Sequence, residues 1–409
     1  MGKRTKQVVG LDIGSTKVSA VVGEIAPDGS LEIVGIGSRP AKGMRKGVIV
    51  DTNSMLEAIA KVVEDAEMMA GTRIDAVHAG IGGSQVESLT TEVSMELTAK
   101  EVTPREILRV IDMARFQTSS DQHETLHVVP LEYRLDELTG ISNPIGKTGT
   151  KFGMWAQVIT ASSSAIVTLM KALDQVKLEV QDITAHHVAT ARAVLTADER
   201  DKGVLLLDVG GGTTDITVYD GGVVRHLSSV AVGGSHVTHD LAVGLRTPVA
   251  EAERIKRQYG RALQSLVDTD ETIDVQGVGG KEIQPTPRKL IGEIIECRVE
   301  EIFALALQRI QHHGLSRGLS AGVVITGGAS VMPGMLQAAE TIFELPVRLG
   351  LPAQISGLTD LVNTPMYATA VGLALCGKDR LLEAEVGQSK HPGVAQAFRR
   401  MVVWFQNFF

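Results

Sequence analysis

The sequence predicts an α/β protein with two similar lobes that face each other. Three Gly-rich turns carry this prediction, and each follows a short apolar run typical of a buried strand. The first two turns begin after Asp12 and Asp208, contain both Gly and Thr, and lead into a second strand rich in β-branched residues. The third turn follows Ile325. Because the two Asp-containing hairpins lie nearly half the chain apart, they indicate two related lobes and not a short tandem repeat.

The two Asp-containing hairpins have the chemistry of phosphate binding. Glycine lets the backbone approach an anion closely, so that several N–H groups converge on phosphate oxygens, and hydroxyl groups add further donors. The first hairpin covers residues 7–22 and the second covers residues 203–219. The expected phosphate-binding residues are Gly14, Ser15, Thr16 and Lys17 in the first turn and Gly210, Gly211, Gly212, Thr213 and Thr214 in the second.

Three aspartates next to these turns cannot bind phosphate directly, because like charges repel. Asp12, Asp208 and Asp215 are instead predicted to hold a hydrated Mg²⁺ ion through its water ligands, and the ion would neutralise the phosphates. A single Gly-rich turn carries little information, since ordinary hairpins need glycine too. Two matching hairpins plus the third turn favour a nucleotide site over three unrelated turns.

Helical patterns separate the strands. Apolar residues recur at helical spacing over residues 51–69, where Asp51 and Asn53 are candidate N-caps, and over residues 291–310. Proline is common in the first helical turn, so two further helices are predicted to begin at Thr103-Pro104 and Thr247-Pro248. The stretch over residues 140–148 nearly matches a P-loop, but it has one residue too many between its glycines, and a plain loop is expected.

The end of the chain differs from the rest. Aromatic residues make up 3% of the chain, yet five of the fourteen lie in the last twelve residues. On a helical wheel, one face carries Phe398, Met401, Val402, Phe405, Phe408 and Phe409, the opposite face carries Arg399 and Arg400, and Trp404 flanks them. Residues 398–409 are therefore predicted to form an amphipathic helix in the interface of an anionic membrane. The alternative is a helix packed on the domain. Residues 378–397 are predicted to be a flexible linker.

Composition excludes several classes of protein. The chain has 409 residues, 44% of them apolar, which suits several lobes around shared cores. Its formal net charge of −8 argues against nucleic acid as a bulk partner. The two cysteines, Cys297 and Cys376, exclude a disulfide framework and a four-thiolate zinc site, and they fit a reducing cytoplasm. No apolar run reaches the roughly 18 residues of a spanning helix, and the N-terminus is not a signal peptide.

The motifs resemble those of the actin/Hsp70/sugar-kinase superfamily. Residues 11–17 resemble its first phosphate motif, residues 207–215 the second, and residues 325–334 the adenosine motif. Further stretches resemble the FtsA family of bacterial cell-division proteins, over nearly the whole chain. They are residues 127–133, 233–242, 357–360 and 367–373. The resemblance implies an actin-like two-lobed ATPase fold with an FtsA-type inserted 1C domain and a C-terminal amphipathic helix.

The FtsA resemblance also implies how the chain divides. Lobe 1 has a core, 1A, over residues 1–83 and 161–196, with the 1C domain inserted over residues 84–160. Lobe 2 has a core, 2A, over residues 197–230 and 312–377, with subdomain 2B over residues 231–311. In this family, 1C faces division proteins and the neighbouring subunit of a filament, and 2B docks the C-terminal peptide of FtsZ, the division tubulin homologue.

Site residues follow from the same resemblance, with ATP and Mg²⁺ as the expected ligands. Gly327, Gly328 and Ala329 would lie against adenosine, with Gly234 nearby. Glu253 and Lys256 share a helix face and match a Glu-x-x-Lys pair that contacts ribose and adenine in relatives. In 2B, Arg298 is expected to bind a partner carboxylate, with Glu301 beside it. The alternative for Arg298 is a solvated helix arginine.

Fast hydrolysis is not expected. Active relatives place an acidic or amide residue in a connecting helix, where it orients the attacking water. The corresponding stretch, residues 183–191, has no Glu, Asp or Gln near Ala185. We therefore assign no catalytic residue and expect ATP to act mainly as a clamp that stabilises a closed, polymerisable form. His186 or His187 is a minor candidate for orienting water, since most helix histidines are merely packed or solvated.

Two functions compete on these grounds. The first is an adaptor that polymerises, tethers FtsZ filaments to the cytoplasmic face of the inner membrane and recruits later division proteins. The second is a metabolite kinase, such as a sugar kinase, on the same fold. A kinase needs a catalytic carboxylate in a substrate cleft, which no motif supplies, and it has no use for an amphipathic tail. An Hsp70-like chaperone would need a longer C-terminal domain.

Overall fold

The computed structural model describes residues 6–45, 48–98, 100–268, 270–280 and 283–387. Three sheets dominate it: a six-stranded sheet in lobe 1, a five-stranded sheet in lobe 2 and a four-stranded sheet in the inserted domain. The predicted amphipathic helix over residues 398–409, with the last part of the predicted linker, lies outside the described residues.

The chain passes through its elements in the following order. It begins with β1 (Lys6–Ile13), β2 (Lys17–Ile25), β3 (Leu31–Pro40), β4 (Met44–Arg45), β5 (Val48–Ile49), α1 (Thr52–Ala70) and β6 (Ala76–Ile81). The insertion contains β7 (Val86–Glu96), α2 (Pro104–Thr118), β8 (His123–Leu135), β9 (Leu138–Ile141) and β10 (Lys151–Ser162). Next come α3 (Ser163–Gln175), β11 (Glu179–Ala185), α4 (His186–Val194), α5 (Ala197–Lys202), β12 (Val204–Val209), β13 (Thr214–Asp220) and β14 (Val223–Val230).

The second half of the chain completes lobe 2 and returns to lobe 1. It contains α6 (Gly234–Gly244), α7 (Val249–Tyr259), β15 (Thr272–Val275), β16 (Gln284–Pro287) and α8 (Arg288–His312). The remaining elements are β17 (Val323–Thr326), α9 (Met335–Phe343), β18 (Val347–Leu349), β19 (Ile355–Gly357), α10 (Thr359–Val362) and α11 (Ala368–Gly387).

The sheet of lobe 1 has the strand order β11-β6-β1-β2-β3-β19. β1 and β2 pair antiparallel, which confirms the first predicted hairpin, and β6 lies parallel to β1 on the other side. α1 begins after Asp51, whose carboxylate accepts from the N–H groups of Asn53 and Ser54, as predicted. Its apolar face, including Met55 and Ile59, is buried against this sheet.

The sheet of lobe 2 repeats this plan, with the strand order β14-β13-β12-β17-β18. β12 and β13 form the second predicted hairpin and place Asp208 opposite Asp215. β17 lies parallel to β12, so that Thr326 neighbours Asp208. Because strands that end at one edge of a sheet carry their turns to the same place, the second and third Gly-rich turns meet.

Two helices, α4 and α11, cross between the lobes in close contact. A Cβ atom at Gly372 on α11 would collide with the carbonyl oxygen of Ala189 on α4. A Cβ atom at Gly10 on β1 would likewise collide with the carbonyl oxygen of Ala370. Glycine at these two positions therefore permits the close crossing. The buried core around both helices includes side chains from both lobes.

The inserted domain is a four-stranded antiparallel sheet, in the order β7-β10-β8-β9, covered by α2. α2 starts at Pro104 behind a capping box formed by Thr103 and Glu106, as predicted. The P-loop-like stretch begins in β9 and continues as a loop with no helix after it, so the plain-loop prediction is confirmed. In subdomain 2B, α7 follows Pro248 as predicted.

The structure corrects two boundaries. Residues 378–387, predicted as the start of a flexible linker, continue helix α11 instead. Lys378 and Asp379 are 9% and 2% exposed, and Asp379 forms an ion pair with Arg192 on α4. β19, predicted within the core of lobe 2, pairs with β3 in the sheet of lobe 1. Within the described residues, no helix is both long and apolar enough to cross a bilayer.

Candidate functional site

A cavity of about 780 Å³ opens between the lobes, where the turns of both Asp-containing hairpins face each other. It also touches the turn after β17 and the helix α7. All the residues predicted to bind nucleotide or metal line this cavity, with one exception, Thr214. They are Asp12, Gly14, Ser15, Thr16, Lys17, Asp208, Gly210, Gly211, Gly212, Thr213, Asp215, Gly234, Glu253, Lys256, Gly327, Gly328 and Ala329.

The predicted role of Thr214 is wrong. Its side chain is fully buried, and its Oγ1 donates a hydrogen bond to the carbonyl oxygen of Val232 at 2.8 Å. Successive side chains of a strand point to opposite faces, so Thr213 reaches the cavity and Thr214, the first residue of β13, turns away from it. Thr214 therefore fixes the segment that leads from β14 into α6.

The glycines let the segments around the cavity approach one another closely. A Cβ atom at Gly211 would collide with the side chain of Thr16, so the phosphate-type turns of the two lobes touch at this point. Gly327 has φ +89°, and a Cβ atom there would collide with the carboxylate of Asp208. Around Gly328 the space is open. This cradle fits a phosphate chain held by backbone N–H groups from both sides.

Three carboxylates concentrate negative charge at one end of the cavity. Burial raises the pKa of Asp208 to about 6, and the charges of Asp215 and Asp12 contribute in the same direction. Oδ2 of Asp208 accepts hydrogen bonds from the hydroxyls of Thr190, at 3.0 Å, and Thr369, at 3.1 Å. This donor set fits a divalent cation, which would relieve the repulsion.

The carboxylates alone do not form a complete metal site. Over the ranges the structure describes, no three His, Cys, Asp or Glu side chains are placed to hold a metal ion. A cation at this end of the cavity would therefore complete its coordination with water or with oxygens of a bound ligand.

Another part of the cavity wall is formed by α7 and the start of α6. Lys256 Nζ lies 2.7 Å from Glu253 Oε2 and donates to the carbonyl oxygen of Gly234 at 3.0 Å. Burial lowers the pKa of Lys256, while its bond to Glu253 acts in the opposite sense. The pair thus offers a carboxylate and an ammonium group side by side, which suits the hydroxyl and amine groups of a nucleoside.

Lys17 lies where lobe 1 meets the approach to α11. Its ammonium group donates to the carbonyl oxygen of Met366 and lies 4.2 Å from the ring centroid of Tyr367. Burial lowers the pKa of Lys17, while the charges of Asp12 and Asp208 favour the protonated form. Lys17 is thus a partly buried cation beside the carboxylates of the cavity.

The two histidines of α4 occupy different environments. His186 lines the cavity, with Nε2 at 3.6 Å from Oδ1 of Asp12. His187 does not line it: its side chain is buried behind Asp215. Of the two minor candidates for orienting water, only His186 reaches the cavity.

Several residues in or next to the cavity escaped the sequence analysis. Thr190 and Thr369 hold Asp208, and Ser38, Arg39, Arg257 and Thr369 line the cavity. Thr190 falls within residues 183–191 and Thr369 within residues 367–373, where the family resemblance was the available signal. Ser38 lies in a stretch that the sequence analysis did not single out.

The predicted partner-binding pair lies on α8, and both of its members are engaged. Arg298 Nε and Nη2 donate to the two carboxylate oxygens of Asp240 at 2.6 and 3.0 Å. Nη1 of Arg298 donates to Glu301. The side chain of Arg298 is one-quarter exposed and its guanidinium is paired, so Arg298 is neither a free cation nor a merely solvated helix residue.

The paired lobes and the cavity between them define an actin-like protein. Solved structures share this fold. A PilM–PilN type IV pilus biogenesis complex matches with a TM-score of 0.65 and 16% identity, covering 91% of this chain and 98% of that one. MreB5 of Spiroplasma citri bound to ADP matches with a TM-score of 0.57 and 14% identity, covering 94% and 99%.

The particular family follows from closer relatives. A family model described as cell division protein FtsA matches residues 205–372, and one described as an SHS2 domain inserted in FtsA matches residues 83–160. The cell division protein FtsA of Pseudomonas aeruginosa is 40% identical over 372 residues, covering 91% of this chain and 89% of that protein. The Escherichia coli protein of the same name is 37% identical, covering 99% and 98%. This chain belongs to the FtsA family of cell division proteins.

Proposed function

We propose that this protein binds ATP and Mg²⁺ between its lobes, polymerises, and tethers FtsZ filaments to the cytoplasmic face of the bacterial inner membrane at the division site. There it recruits later division proteins through its inserted domain. The observation that carries the proposal is the cavity, which gathers all but one of the predicted nucleotide-binding residues in a chain of the FtsA family. The likeness of the fold to MreB5, a protein solved with ADP, adds support.

Different groups of cavity residues would contact different parts of the nucleotide. The turns at residues 14–17 and 210–213 offer backbone N–H groups and hydroxyls to the phosphates, and Lys17 adds a positive charge. Asp12, Asp208 and Asp215 would hold the hydrated cation. Glu253 and Lys256 face the ribose and adenine. Bound ATP supplies a phosphate chain that both lobes contact, which favours a closed subunit.

Hydrolysis is proposed to be weak or absent. In the part of the chain that the structure describes, no Glu, Asp or Gln of α4 faces the cavity. His186 is the α4 residue that lines the cavity, and its Nε2 lies 3.6 Å from Oδ1 of Asp12. ATP therefore acts in this proposal as a clamp whose occupancy controls assembly.

Membrane attachment is assigned to residues 398–409. A single amphipathic segment of this length binds a bilayer weakly, so many copies on one filament would be needed for stable attachment. FtsZ is assigned to subdomain 2B, where Arg298 and Glu301 lie on α8. A peptide carboxylate there would compete with Asp240 for the guanidinium.

The proposal is tested by sedimentation with liposomes of bacterial lipids. The full chain is compared with a chain that ends at Ala397, each with Mg²⁺-ATP and with no nucleotide. We expect only the full chain to pellet with lipid and to form filaments on it, in an ATP-dependent manner. Equal behaviour of both chains, with no polymer, would reject the tether, and ATP consumption stimulated by sugars would then favour the kinase.

A further inference from the structure

Asp215 is held from behind the cavity wall by two side chains. Ser229 on β14 donates from Oγ to Oδ1 of Asp215 at 2.7 Å. Nε2 of His187 on α4 lies 3.2 Å from the same Oγ. We propose that Ser229 and His187 are positioning residues, which orient Asp215 toward the cation of a bound nucleotide. This inference rests on the proposed nucleotide site.

The direction of each hydrogen bond follows from what its groups can do. Nε2 of His187 also lies 3.1 Å from the carbonyl oxygen of Ser228, and a carbonyl oxygen can only accept. Nε2 therefore carries the hydrogen. The ionised carboxylate of Asp215 can likewise only accept, so the single hydroxyl hydrogen of Ser229 goes to Asp215. Ser229 Oγ then accepts from His187, so the hydrogen bonds are donated from the imidazole to the hydroxyl group and from the hydroxyl group to the carboxylate.

Burial strengthens the hydrogen bonds that link His187, Ser229 and Asp215. The side chain of His187 is 0% exposed, and within the described residues its Nδ1 has no hydrogen-bond partner. A hydrogen bond in such surroundings is stronger than in water, and an imidazole placed there needs a partner to offset its desolvation. The contacts of Nε2 with Ser228 and Ser229 provide it. These contacts therefore fix the orientation of the His187 ring, and the ring in turn fixes the hydroxyl group of Ser229.

These hydrogen bonds leave one side of the Asp215 carboxylate for the ligand. Oδ1 is fixed by Ser229, while Asp215 also lines the cavity. Asp208 has different holders, the hydroxyls of Thr190 and Thr369. Side chains that orient metal-binding carboxylates in this way contribute roughly 10- to 100-fold to metal affinity.

The test separates cation binding from nucleotide binding. ADP affinity is measured by calorimetry on the full chain, once with Mg²⁺ and once with EDTA, and the ratio gives the gain due to Mg²⁺. We expect Ser229→Ala and His187→Leu to lower this gain roughly tenfold and to leave the affinity in EDTA unchanged. Ser229→Thr and His187→Gln keep a donor in place and should restore most of the gain.

Two controls decide between the possible failures. Ser228→Ala removes the neighbouring hydroxyl, which contacts His226 instead, and should leave the gain unchanged. Asp215→Asn should abolish it. If the wild type binds no ADP, or binds equally with and without Mg²⁺, the proposed function fails. If Asp215→Asn loses the gain while Ser229→Ala and His187→Leu keep it, the positioning role is overturned. Equal losses in EDTA and in Mg²⁺ would also overturn it, because they indicate a structural defect.

Discussion

The hydroxyl group of Ser88, in the inserted domain, is hydrogen-bonded twice to the backbone of Leu227 in lobe 2. Its Oγ donates to the carbonyl oxygen at 3.0 Å and accepts from the N–H group at 3.2 Å. Leu227 lies on β14, the edge strand of its sheet, whose outward backbone groups would otherwise lack partners. A domain inserted in lobe 1 is thereby attached to lobe 2, two residues from Ser229.

Replacing Ser88 by Ala removes both of these bonds. We expect the free energy of unfolding to fall by roughly 1–2 kcal/mol, because the backbone groups of Leu227 lose a buried partner. Amide hydrogen exchange at Leu227 should accelerate. Ser94→Ala, at an exposed position of the same strand, is the matched control. An unchanged exchange rate at Leu227 in Ser88→Ala would contradict this account of the contact.

Replacing Asp208 by Asn should stabilise the protein without ligand and weaken its binding of Mg²⁺-ADP. The pKa of Asp208 is raised from 3.8 to about 6, so the folded state holds a proton that the unfolded chain has already lost. Stability therefore falls as pH rises from about 4 to 6, by roughly 3 kcal/mol, and stays lower above pH 6.

The Asn variant lacks this loss, since it carries no ionisable group. Urea unfolding of both proteins at pH 5 and pH 8 measures the effect, and the advantage of the variant should be larger at pH 8. A variant that is less stable than the wild type at both pH values would refute the prediction.

His127 should make the protein sensitive to acid. Burial lowers its pKa to about 4, and the charge of Arg380 acts in the same direction. Below pH 6.5 the unfolded chain takes up a proton that the folded state does not, so stability falls as pH drops from 6.5 to 4, by up to roughly 3 kcal/mol. His127→Leu should flatten this slope in urea titrations. His123→Gln, at the partly exposed start of the same strand, should not.

The ion pair between Arg192 and Asp379 should contribute more to stability than any exposed pair. Nε of Arg192 donates to Oδ2 of Asp379 at 2.8 Å, and both side chains are buried. Arg192→Ala leaves a buried carboxylate without its main partner, which costs about 3–5 kcal/mol in thermal or urea unfolding. Lys202→Ala breaks an exposed pair with Asp198 and should cost less than about 0.5 kcal/mol. Similar losses from both variants would exclude a special role for the buried pair.

Asp240 should compete with any carboxylate that binds Arg298. Asp240→Asn weakens the bidentate pair, so we expect the affinity for a labelled C-terminal FtsZ peptide to rise several-fold, while Arg298→Ala lowers it roughly tenfold. Fluorescence anisotropy measures both. Arg309→Ala, exposed on the same helix, is the control. If Arg298→Ala binds the peptide as the wild type does, Arg298 is not part of the peptide site.

Local motifs made most of the site predictable. Each hairpin carries its strand, Asp and Gly within a dozen residues, so the pattern is complete in one stretch and the fold has only to bring two such stretches together. The prediction for Thr214 was wrong because side chains one residue apart along a strand point to opposite faces of the sheet. The motif alone does not fix where the strand begins.

Contacts between distant segments were not predictable in this way. Asp208 is held by Thr190 and Thr369, which come from different helices far apart in the chain. The polar residues after Gly377 looked like a linker because their partner, Arg192, lies in another helix. From sequence alone a charged residue is expected to be solvated, because its buried partner in a distant segment is not known. The contact between His187 and Ser229 was not predictable for the same reason.

Helix α11 has a mechanical consequence. It packs along α4 and the first strand of lobe 1, and its ion pair with Arg192 lies just beyond the crossing at Gly372. A force applied to the end of α11 is therefore carried into the two helices that cross between the lobes. Because His186 on α4 and Thr369 on α11 also line the cavity, such a force and a ligand between the lobes act on the same pair of helices.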